Sequence, residues 1–284
     1  MPTIRVVTDS TCDLPDALVR RYGITVVPVS VLVGGQAYLD RVNLTTDALL
    51  RAMQDDGERP TAAAPTTATF EQVYRWLQRE RPCDGVVSIH VGAHLSGTYG
   101  AARAAGDNFA NTSFPVGVFD SESASMGLGI IALAAAREAA GGGGWSAVMQ
   151  AARRAKGRTH VAFMVDSVGP LYRGGKLPGL SAGIESLLPL KPLLSLDGGQ
   201  ITLLERSRTR HKALDSLCCF VEEFPQLEEL AILHSSGTSD VENIAHRLAP
   251  LCPRGRVSVV QYGPANAAYL GPGAVGVVVH EGGK

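Results

Sequence analysis

Ile4-Arg5-Val6-Val7-Thr8-Asp9-Ser10-Thr11-Cys12-Asp13-Leu14-Pro15 begins with a short apolar run and passes directly into a burst of polar residues. Such a run, bounded by turn-forming residues, predicts a buried strand, here Ile4–Thr8. Two further runs of this kind, Gly85–His90 and Val116–Asp120, alternate with helical patterns in the first half of the chain. This alternation predicts βαβ units and a parallel sheet.

Helical patterns separate these predicted strands. Periodic apolar residues and a high alanine content predict the helices Phe70–Glu80, Thr98–Ala105 and Ala124–Ala140. A further apolar stretch, Val26–Val33, is interrupted by Pro28, which places it at the margin of the sheet. The first half is therefore predicted to be an α/β domain with a Rossmann-like parallel sheet and flanking helices.

The pattern changes near residue 157, after a predicted helix at Trp145–Lys156. Beyond it, Asp197-Gly198-Gly199 separates two apolar runs and predicts a β-hairpin. The elements predicted in this half are the strands Lys191–Leu196 and Gln200–Glu205, the helix His211–Phe224 and the strands Leu230–His234, Arg256–Gln261 and Ala274–Val279. The chain is thus predicted to form two domains, an N-terminal α/β domain at 1–157 and a C-terminal mixed α+β domain at 158–284.

The composition argues against several classes of protein. With 26 basic and 27 acidic residues the net charge is −1, so the sequence lacks the basic surplus of a nucleic-acid-binding protein. The 5 cysteines form no C-x-x-C pair and support no zinc site. The first residues lack an apolar signal-peptide core, and no apolar run approaches about 20 residues. We therefore predict a cytoplasmic protein without integral membrane association.

Two motifs suggest catalysis or cofactor binding, but their context favours packing. Gly179-Leu180-Ser181-Ala182-Gly183 matches the G-x-S-x-G nucleophile elbow, yet a glycine-rich loop precedes it where a strand is required. Ser181 is better explained as the N-cap of a segment beginning at Ile184. The G-x-G-x-x-A pattern from Gly127 lies too far beyond its strand for a dinucleotide site, and close packing of a helix explains it better. The sequence contains no P-loop motif, so self-contained ATP chemistry is not supported.

Three polar segments occupy positions where ligands bind open α/β sheets, beyond the carboxyl ends of strands. They are the polar burst Thr8-Asp9-Ser10-Thr11-Cys12-Asp13-Leu14-Pro15, the segment Leu95-Ser96-Gly97-Thr98-Tyr99 and the pair Asp120-Ser121. Hydroxyl groups and free N–H groups at the start of a helix form a site for an anion. Helix capping and solvation of the sheet end explain each segment alone, whereas three segments in one half of the chain favour a ligand site.

A glycine- and proline-rich region lies late in the chain. Gly263-Pro264 and Gly271-Pro272-Gly273 flank Tyr269. This composition predicts a rigid, irregular loop that can approach a ligand or a partner closely. An ordinary turn before the last strand is the alternative.

The order of several short motifs resembles the DegV family from about residue 4 to residue 278. The motifs are T-D-S-x-x-D-L-P at 8–15, P-x-x-V-x-x-G at 28–34, L-S-G-T-Y at 95–99, D-S at 120–121, L-x-R-G-G-K at 171–176, K-P-L-L at 191–194, R-T-R at 208–210 and G-P-G at 271–273. Several of them are weak individually, but their order and spacing are specific. The chain is identified as a member of this family.

The resemblance implies a long-chain fatty acid bound between the two domains. The best-known members are the binding subunits of bacterial fatty acid kinase, which present the carboxylate to a separate ATP-binding kinase subunit. Such a subunit has no catalytic machinery of its own, and the fatty acid is its ligand, without a further cofactor. Ser96 matches the family's carboxylate-binding serine, and Arg173 and Arg208 match basic positions near the ligand mouth or the kinase surface. The predicted ligand-binding residues are Asp9, Ser10, Thr61, Ala62, Ser96, Gly97, Thr98, Ser121, Tyr269 and Gly271.

The chain departs from the family's pattern at this site. The usual T-S-Q-P segment is Ala62-Ala63-Ala64-Pro65, so Ala62 stands where a ligand-binding threonine is expected. Tyr269 stands where members commonly have histidine, and Gly92-Ala93 replace a serine pair. Thr61, His94 or Tyr269 must compensate if the ligand is unchanged. We predict that Tyr269 points at the head group as a neutral donor, and a ring that plugs the domain cleft is the alternative.

Two further functions stay open on the sequence alone. The altered polar shell also suits a carrier or sensor of another amphiphile that is not coupled to phosphorylation. A serine hydrolase is the third hypothesis, and it rests only on Ser181.

Overall fold

The computed structural model describes residues 3–80, 83–178, 186–237 and 239–283. Within these ranges the strands are β1 Ile4–Asp9, β2 Thr25–Val27, β3 Ser30–Val33, β4 Gln36–Leu39, β5 Thr61–Ala63, β6 Gly85–His90, β7 Val116–Asp120, β8 Thr159–Met164, β9 Lys191–Asp197, β10 Gln200–Ser207, β11 Leu227–His234, β12 Val257–Gln261 and β13 Val275–Glu281. The helices are α1 Asp16–Tyr22, α2 Thr46–Asp55, α3 Thr67–Glu80, α4 Thr98–Asp107, α5 Met126–Ala140, α6 Trp145–Lys156, α7 Gly169–Arg173, α8 Arg210–Glu222, α9 Ser239–Leu248 and α10 Pro264–Leu270.

Backbone contacts divide the chain into two compact units. The first unit contains Met1–Ser30 and Ala63–Gly157, and the second contains Val31–Ala62 and Arg158–Lys284. The sequence analysis placed 31–62 in the first domain, whereas its contacts place it in the second unit. A single boundary near residue 157 therefore does not describe this division.

A parallel sheet forms the centre of the first unit, in the strand order β2-β1-β6-β7. The registers pair Val7 with Thr25 and Ser88, and His90 with Asp120, so the carboxyl ends of the strands meet at one edge. The parallel sheet that the apolar runs predict is confirmed. Its edge strand β2 ends just before Pro28, which cannot donate to a neighbouring strand.

Helices cover the two faces of this sheet. Phe70, Tyr74 and Leu77, spaced along one face of α3, are buried against Val7 and Val86. Helix α5 is buried around most of its circumference, as expected for a helix without a polar face. Gly129 permits its close approach, because a Cβ atom there would lie 2.6 Å from the carbonyl oxygen of Cys12. Close packing therefore explains Gly129 in the pattern that resembles a dinucleotide motif.

The second unit contains a six-stranded sheet in the order β10-β9-β8-β13-β11-β12. Its strand pairs are antiparallel except for β11 and β12, which run parallel. The predicted hairpin is present, and Asp197 pairs with Gln200 across a two-residue turn. Gly198 and Gly199 both have positive φ angles, 54° and 80°, which this tight turn requires.

Contacts of the segment 31–62 explain why it belongs to the second unit. It forms a small sheet in the order β4-β3-β5 and the helix α2. The Thr46 hydroxyl donates to the carbonyl of Tyr262 at 2.6 Å, and Asp40 accepts from the N–H of Ala265 at 2.9 Å. Neither partner is close in sequence, so no local pattern could reveal these contacts.

The region around Tyr269 is helical, which corrects the prediction of an irregular loop. Pro264 stands in the first turn of α10, where its missing N–H costs nothing, and three alanines favour the helix. Gly271, at φ 79°, ends it. Ser181 and its proposed role as an N-cap lie outside the described residues. In the described ranges, no helix combines the length and the apolar character needed to cross a membrane.

Candidate functional site

Asp9 ends β1, and its carboxylate is fully engaged within the first unit. It accepts hydrogen bonds from the N–H groups of Thr11 and Val91, at 3.2 and 3.1 Å, and from the Thr11 hydroxyl. His90 Nδ1 lies 3.0 Å from its second oxygen. The side chain is buried, and its donors hold the loops that follow β1 and β6. These contacts fix the loops at the end of the sheet, and a contact of Asp9 with the ligand stays a prediction.

A buried chain of hydrogen bonds extends from Asp9 into α3. Because a carboxylate only accepts, His90 carries a proton on Nδ1, and its Nε2 lies 2.7 Å from the Ser88 hydroxyl. Tyr74 in turn donates to Ser88 at 2.9 Å. Burial raises the pKa of the Tyr74 phenol above its usual value, so it stays a donor. The order Ser88–His90–Asp9 is that of a catalytic triad, but Ser88 is inaccessible under α3 and unsuited to attack a substrate.

The other predicted residue at this strand end, Ser10, is used structurally. Its hydroxyl accepts a hydrogen bond from the N–H of Val29 at 3.1 Å. This contact connects the end of β1 to the chain just beyond β2.

The L-S-G-T-Y segment places Ser96 directly before α4. Its hydroxyl accepts from the N–H of Thr98 at 3.2 Å and lies 2.9 Å from the Thr98 hydroxyl. Ser96 is half-buried, whereas Gly97 is exposed and supplies no side-chain cap. The first turn of a helix leaves N–H groups without internal partners. Ser96, Gly97 and Thr98 therefore lie together at the start of α4, and their role in binding an anion stays a prediction.

Ala64, in the segment where the chain departs from the family, adjoins this turn. A Cβ atom on Gly97 would lie 3.8 Å from the Cβ of Ala64. Ala64 therefore places an apolar methyl group beside the first turn of α4.

The loop after β7 is held in a strained conformation. Glu122 and Ser125 have positive φ angles, 51° and 52°, as does Asp13 at 50°. The Ser125 hydroxyl donates to Asp13, so two of these residues are linked. Ser121, predicted as a ligand contact, bonds both the N–H and the carbonyl of Ser123, at 3.1 and 3.2 Å. Backbone strain of this kind persists where the surroundings enforce it and is typical of binding sites.

Two buried hydroxyls in the first unit have no partner in the described part of the chain. They belong to Thr8 in β1 and Ser123 in the loop after β7. A buried hydroxyl without a hydrogen bond costs about 1–3 kcal/mol, so each calls for a partner such as water or a ligand. Thr8 lies in the polar segment that the sequence marks after the first strand, and Ser123 follows D-S by two residues, but neither is among the predicted ligand-binding residues.

Tyr269 and Ala62, two of the departures from the family's pattern, bond directly to each other. The Tyr269 hydroxyl accepts from the N–H of Ala62 at 2.9 Å and lies 3.3 Å from its carbonyl oxygen, to which it donates. The phenol is therefore engaged with the backbone of Ala62 within the second unit. Its contact with a ligand head group stays a prediction, as does the alternative of a packed ring.

The surroundings of the Tyr269 ring fix its position. A Cβ atom on Gly174 would lie only 2.5 Å from the ring, so glycine is required beneath it. Lys176 lies over the ring, with Nζ 4.7 Å from its centroid. Burial lowers the pKa of Lys176 from the usual lysine value. The R-G-G-K motif thus provides both residues that pack on the Tyr269 ring, Gly174 and Lys176.

Three of the quoted motifs meet at Asp166 in the second unit. Arg210 donates to the Gly273 carbonyl at 2.6 Å, to Asp166 at 3.2 Å and to Asp240 at 2.8 Å. Lys191 donates to the Asp166 carbonyl at 2.8 Å. This network fixes the G-P-G segment after α10. Arg210 is the second arginine of R-T-R, and the predicted role of the first, Arg208, at the ligand mouth or kinase surface stays a prediction.

The remaining predicted residues are exposed or at the ends of elements. Arg173 ends α7 and lies against Gly169, and Arg208 stands in the loop between β10 and α8. Both are exposed, as is Thr61 in β5. Gly271 ends α10. In the described ranges, no group of three or more histidine, cysteine, aspartate or glutamate residues could hold a metal ion.

Comparison with known proteins establishes the family. The model of the DegV family, described as uncharacterised, matches residues 3–282. A DegV domain-containing protein of Streptomyces coelicolor is 36% identical over 97% of this chain and 98% of its own. The chain therefore belongs to the DegV family, as the motifs predict.

Two solved structures share both fold and sequence with this chain. One, described as the fatty acid binding of a DegV family protein from Thermus thermophilus, has a TM-score of 0.87 and 30% identity over 98% of this chain and 99% of its own. The other is DegV, a fatty acid binding protein from Bacillus subtilis, with a TM-score of 0.86 and 27% identity over 99% of this chain and 100% of its own. These matches confirm the α/β fold.

Proposed function

We propose that this protein binds one long-chain fatty acid and presents its carboxylate to a separate kinase subunit. The half-buried Ser96 hydroxyl before the free N–H groups of α4 carries the proposal, because it offers several donors to one anion. The fatty acid binding described for the relatives from Thermus thermophilus and Bacillus subtilis supports the choice of ligand.

The energetics of a fatty acid suit a carrier. Each methylene removed from water contributes about 0.8 kcal/mol, so a chain of ordinary length is retained strongly. The carboxylate is costly to bury without donors. Ser96 and the start of α4 provide donors, and the hydroxyls of Thr8 and Ser123 are further groups without partners among the described residues.

A Ser96→Ala variant tests the carboxylate site. We expect its affinity for a fatty acid, measured on delipidated protein, to fall by about 1.5–3 kcal/mol, the range for a hydrogen bond to a charged group. Ser146→Ala, at an exposed position in α6, is the matched control and should bind normally. Equal affinities for all three proteins would exclude Ser96 as a carboxylate ligand.

In the proposed complex, the separate kinase subunit carries out the phosphorylation. Arg173 and Arg208 are exposed and take part in no ion pair within the described residues, and a guanidinium group binds carboxylate or phosphate with two parallel hydrogen bonds. With an ATP-binding kinase subunit added, Arg173→Ala should reduce acyl-phosphate formation while lipid stays bound. Arg206→Ala, at an exposed position of β10, is the control. Unchanged acyl-phosphate formation in Arg173→Ala would remove this role.

A carrier of a different amphiphile is the second candidate. The Ala62–Tyr269 contact favours it, since it replaces two polar groups that the family uses for a carboxylate. Identification of the bound lipid distinguishes the two functions.

A further inference from the structure

An arginine-lined cavity lies at the amino end of β1, away from the strand ends that carry Ser96. Its volume is about 490 Å³. All its walls belong to the first unit: the start of β1, the end of α1 and the end of α5. The lining residues are Thr3, Ile4, Arg5, Val6, Arg20, Arg21, Tyr22, Gly23, Ala136, Ala139, Ala140 and Gly142. We call it the arginine cleft.

The positive charge of the arginine cleft is not compensated locally. Arg5, Arg20 and Arg21 line it, and none of the lining residues is acidic. Within the described ranges, these three arginines take part in no ion pair. Asp84, the acid that follows Cys83 beside Arg5, already accepts a hydrogen bond from the N–H of Thr3. Three arginines therefore line one cavity whose lining contains no acidic residue.

Helix-end electrostatics account for only part of this arrangement. Basic residues are favoured in the last turn of a helix, which explains Arg20 and Arg21 at the end of α1. The carbonyls there are satisfied, because Gly23 donates to Arg20 and Ile24 donates to Val19.

Arg5 has no such explanation, because it lies on β1. Its Nε is buried and has no hydrogen-bond partner among the described residues. A buried N–H of a charged group without an acceptor is costly, so an acceptor is expected from outside the chain.

We propose that the arginine cleft binds a phosphate-bearing anion. Guanidinium groups match phosphate oxygens with paired hydrogen bonds, and several of them together favour a multiply charged group over a single carboxylate. The alanines of α5 and the Tyr22 ring, which lies near Arg21, supply an apolar wall for the remainder of the ligand. Such a group is found on soluble phosphates and on anionic lipid head groups. The inference does not depend on the fatty-acid function.

Binding of inorganic pyrophosphate, measured by calorimetry in a low-salt buffer without phosphate, tests the proposal. We expect one site per chain. Arg20→Gln and Arg21→Gln should each weaken binding about 10- to 100-fold, as expected for loss of a hydrogen bond to a charged group. Both side chains are exposed, so the fold should survive. Arg79→Gln removes the same charge from the last turn of α3, outside the cleft, and should bind like the wild type.

Sedimentation with phosphatidylglycerol vesicles, compared with phosphatidylcholine vesicles, distinguishes a lipid source from a soluble one. Pyrophosphate binding that depends on Arg20 and Arg21 indicates a soluble phosphate ligand. If only vesicle binding depends on Arg20 and Arg21, the ligand is a lipid head group. Either outcome supports the site. Absence of binding in both assays, or equal weakening in Arg79→Gln, would overturn it.

Discussion

The Tyr269 hydroxyl and the backbone of Ala62 form two hydrogen bonds, at 2.9 Å from the N–H and 3.3 Å to the carbonyl. Two of the positions at which this chain departs from the family's pattern are therefore one structural feature. A tyrosine long enough to reach the strand replaces the usual histidine, and an alanine without polar atoms replaces the usual threonine. The pair anchors α10 to β5 within the second unit.

Removing the Tyr269 hydroxyl tests this relationship. Tyr269→Phe leaves the N–H and carbonyl of Ala62 without partners, so we expect a loss of about 1–2 kcal/mol of unfolding free energy. Fatty-acid affinity should stay within about twofold (~0.4 kcal/mol), since the hydroxyl proton is already donated to Ala62. Tyr172→Phe, at an exposed position of α7, should change neither quantity. Reduced affinity with unchanged stability would restore Tyr269 as a head-group donor.

Restoring the family's pair should produce a coupled effect. Ala62→Thr adds a hydroxyl, and Tyr269→His adds a group that can carry positive charge. In each single variant, however, the residue at the other position is still the one that pairs with the original partner. We expect the double variant to bind fatty acid about tenfold more tightly than the sum of the single effects predicts, an interaction of about 1.4 kcal/mol. A double-mutant cycle in fatty-acid affinity measures it. Additive effects would show that the two positions act independently.

Gly273 is constrained more tightly than its sequence context indicates. A Cβ atom there would overlap the Asp166 carboxylate, which Arg210 and Lys191 hold in place. Gly273→Ala should therefore destabilise the second unit by about 1–3 kcal/mol, as overpacking does. Gly100→Ala, in an α4 position with open space, should be neutral or slightly stabilising. Thermal unfolding of both variants decides the matter, and a neutral Gly273→Ala would refute the close packing.

His234 makes the stability of the second unit depend on pH. Burial lowers its pKa below the usual histidine value, while Asp47 opposes the shift. As pH falls through about 6.5, the unfolded chain takes up a proton that the folded chain does not, so stability falls with pH. One such proton changes stability by at most about 1.4 kcal/mol per pH unit. Wild type should therefore lose more stability between pH 7.5 and pH 5.5, roughly one unit on either side of this midpoint, than His234→Gln does.

An exposed histidine provides the control for this experiment. His246→Gln, on α9, should keep the pH dependence of the wild type. If His234→Gln also keeps the pH dependence of the wild type, burial of His234 does not contribute to that dependence.

Elements with a strong local signal could be predicted from the sequence. The strands β6 and β7 and the helix α6 were predicted to their end residues, because apolar runs and alanine-rich periodicity mark them clearly. The helices α1, α2 and α9 were missed, since they are short and carry many charged residues. In α10, glycine and proline were interpreted as a loop, although proline at a helix start and glycine at its end are helix signals.

Long-range contacts account for the features of the site that the sequence pattern does not show. The grouping of 31–62 with the second unit depends on pairs such as Thr46 and Tyr262, which no local pattern connects. The Tyr74–Ser88–His90–Asp9 chain requires the register of β1 against β6. Arg210 is the first residue of α8, whereas Arg208 precedes the helix. The motif R-T-R does not mark where the helix begins, so it could not show that Arg210 holds the G-P-G segment.

Mass spectrometry of an organic extract of the purified protein tests the central claim most directly. We expect about one equivalent of a long-chain fatty acid per chain, released on denaturation. Ser96→Ala should be purified with less of the same lipid, and Ser146→Ala with the same amount as the wild type. Recovery of no fatty acid from several independent preparations, or of a different amphiphile in stoichiometric amount, would contradict the account.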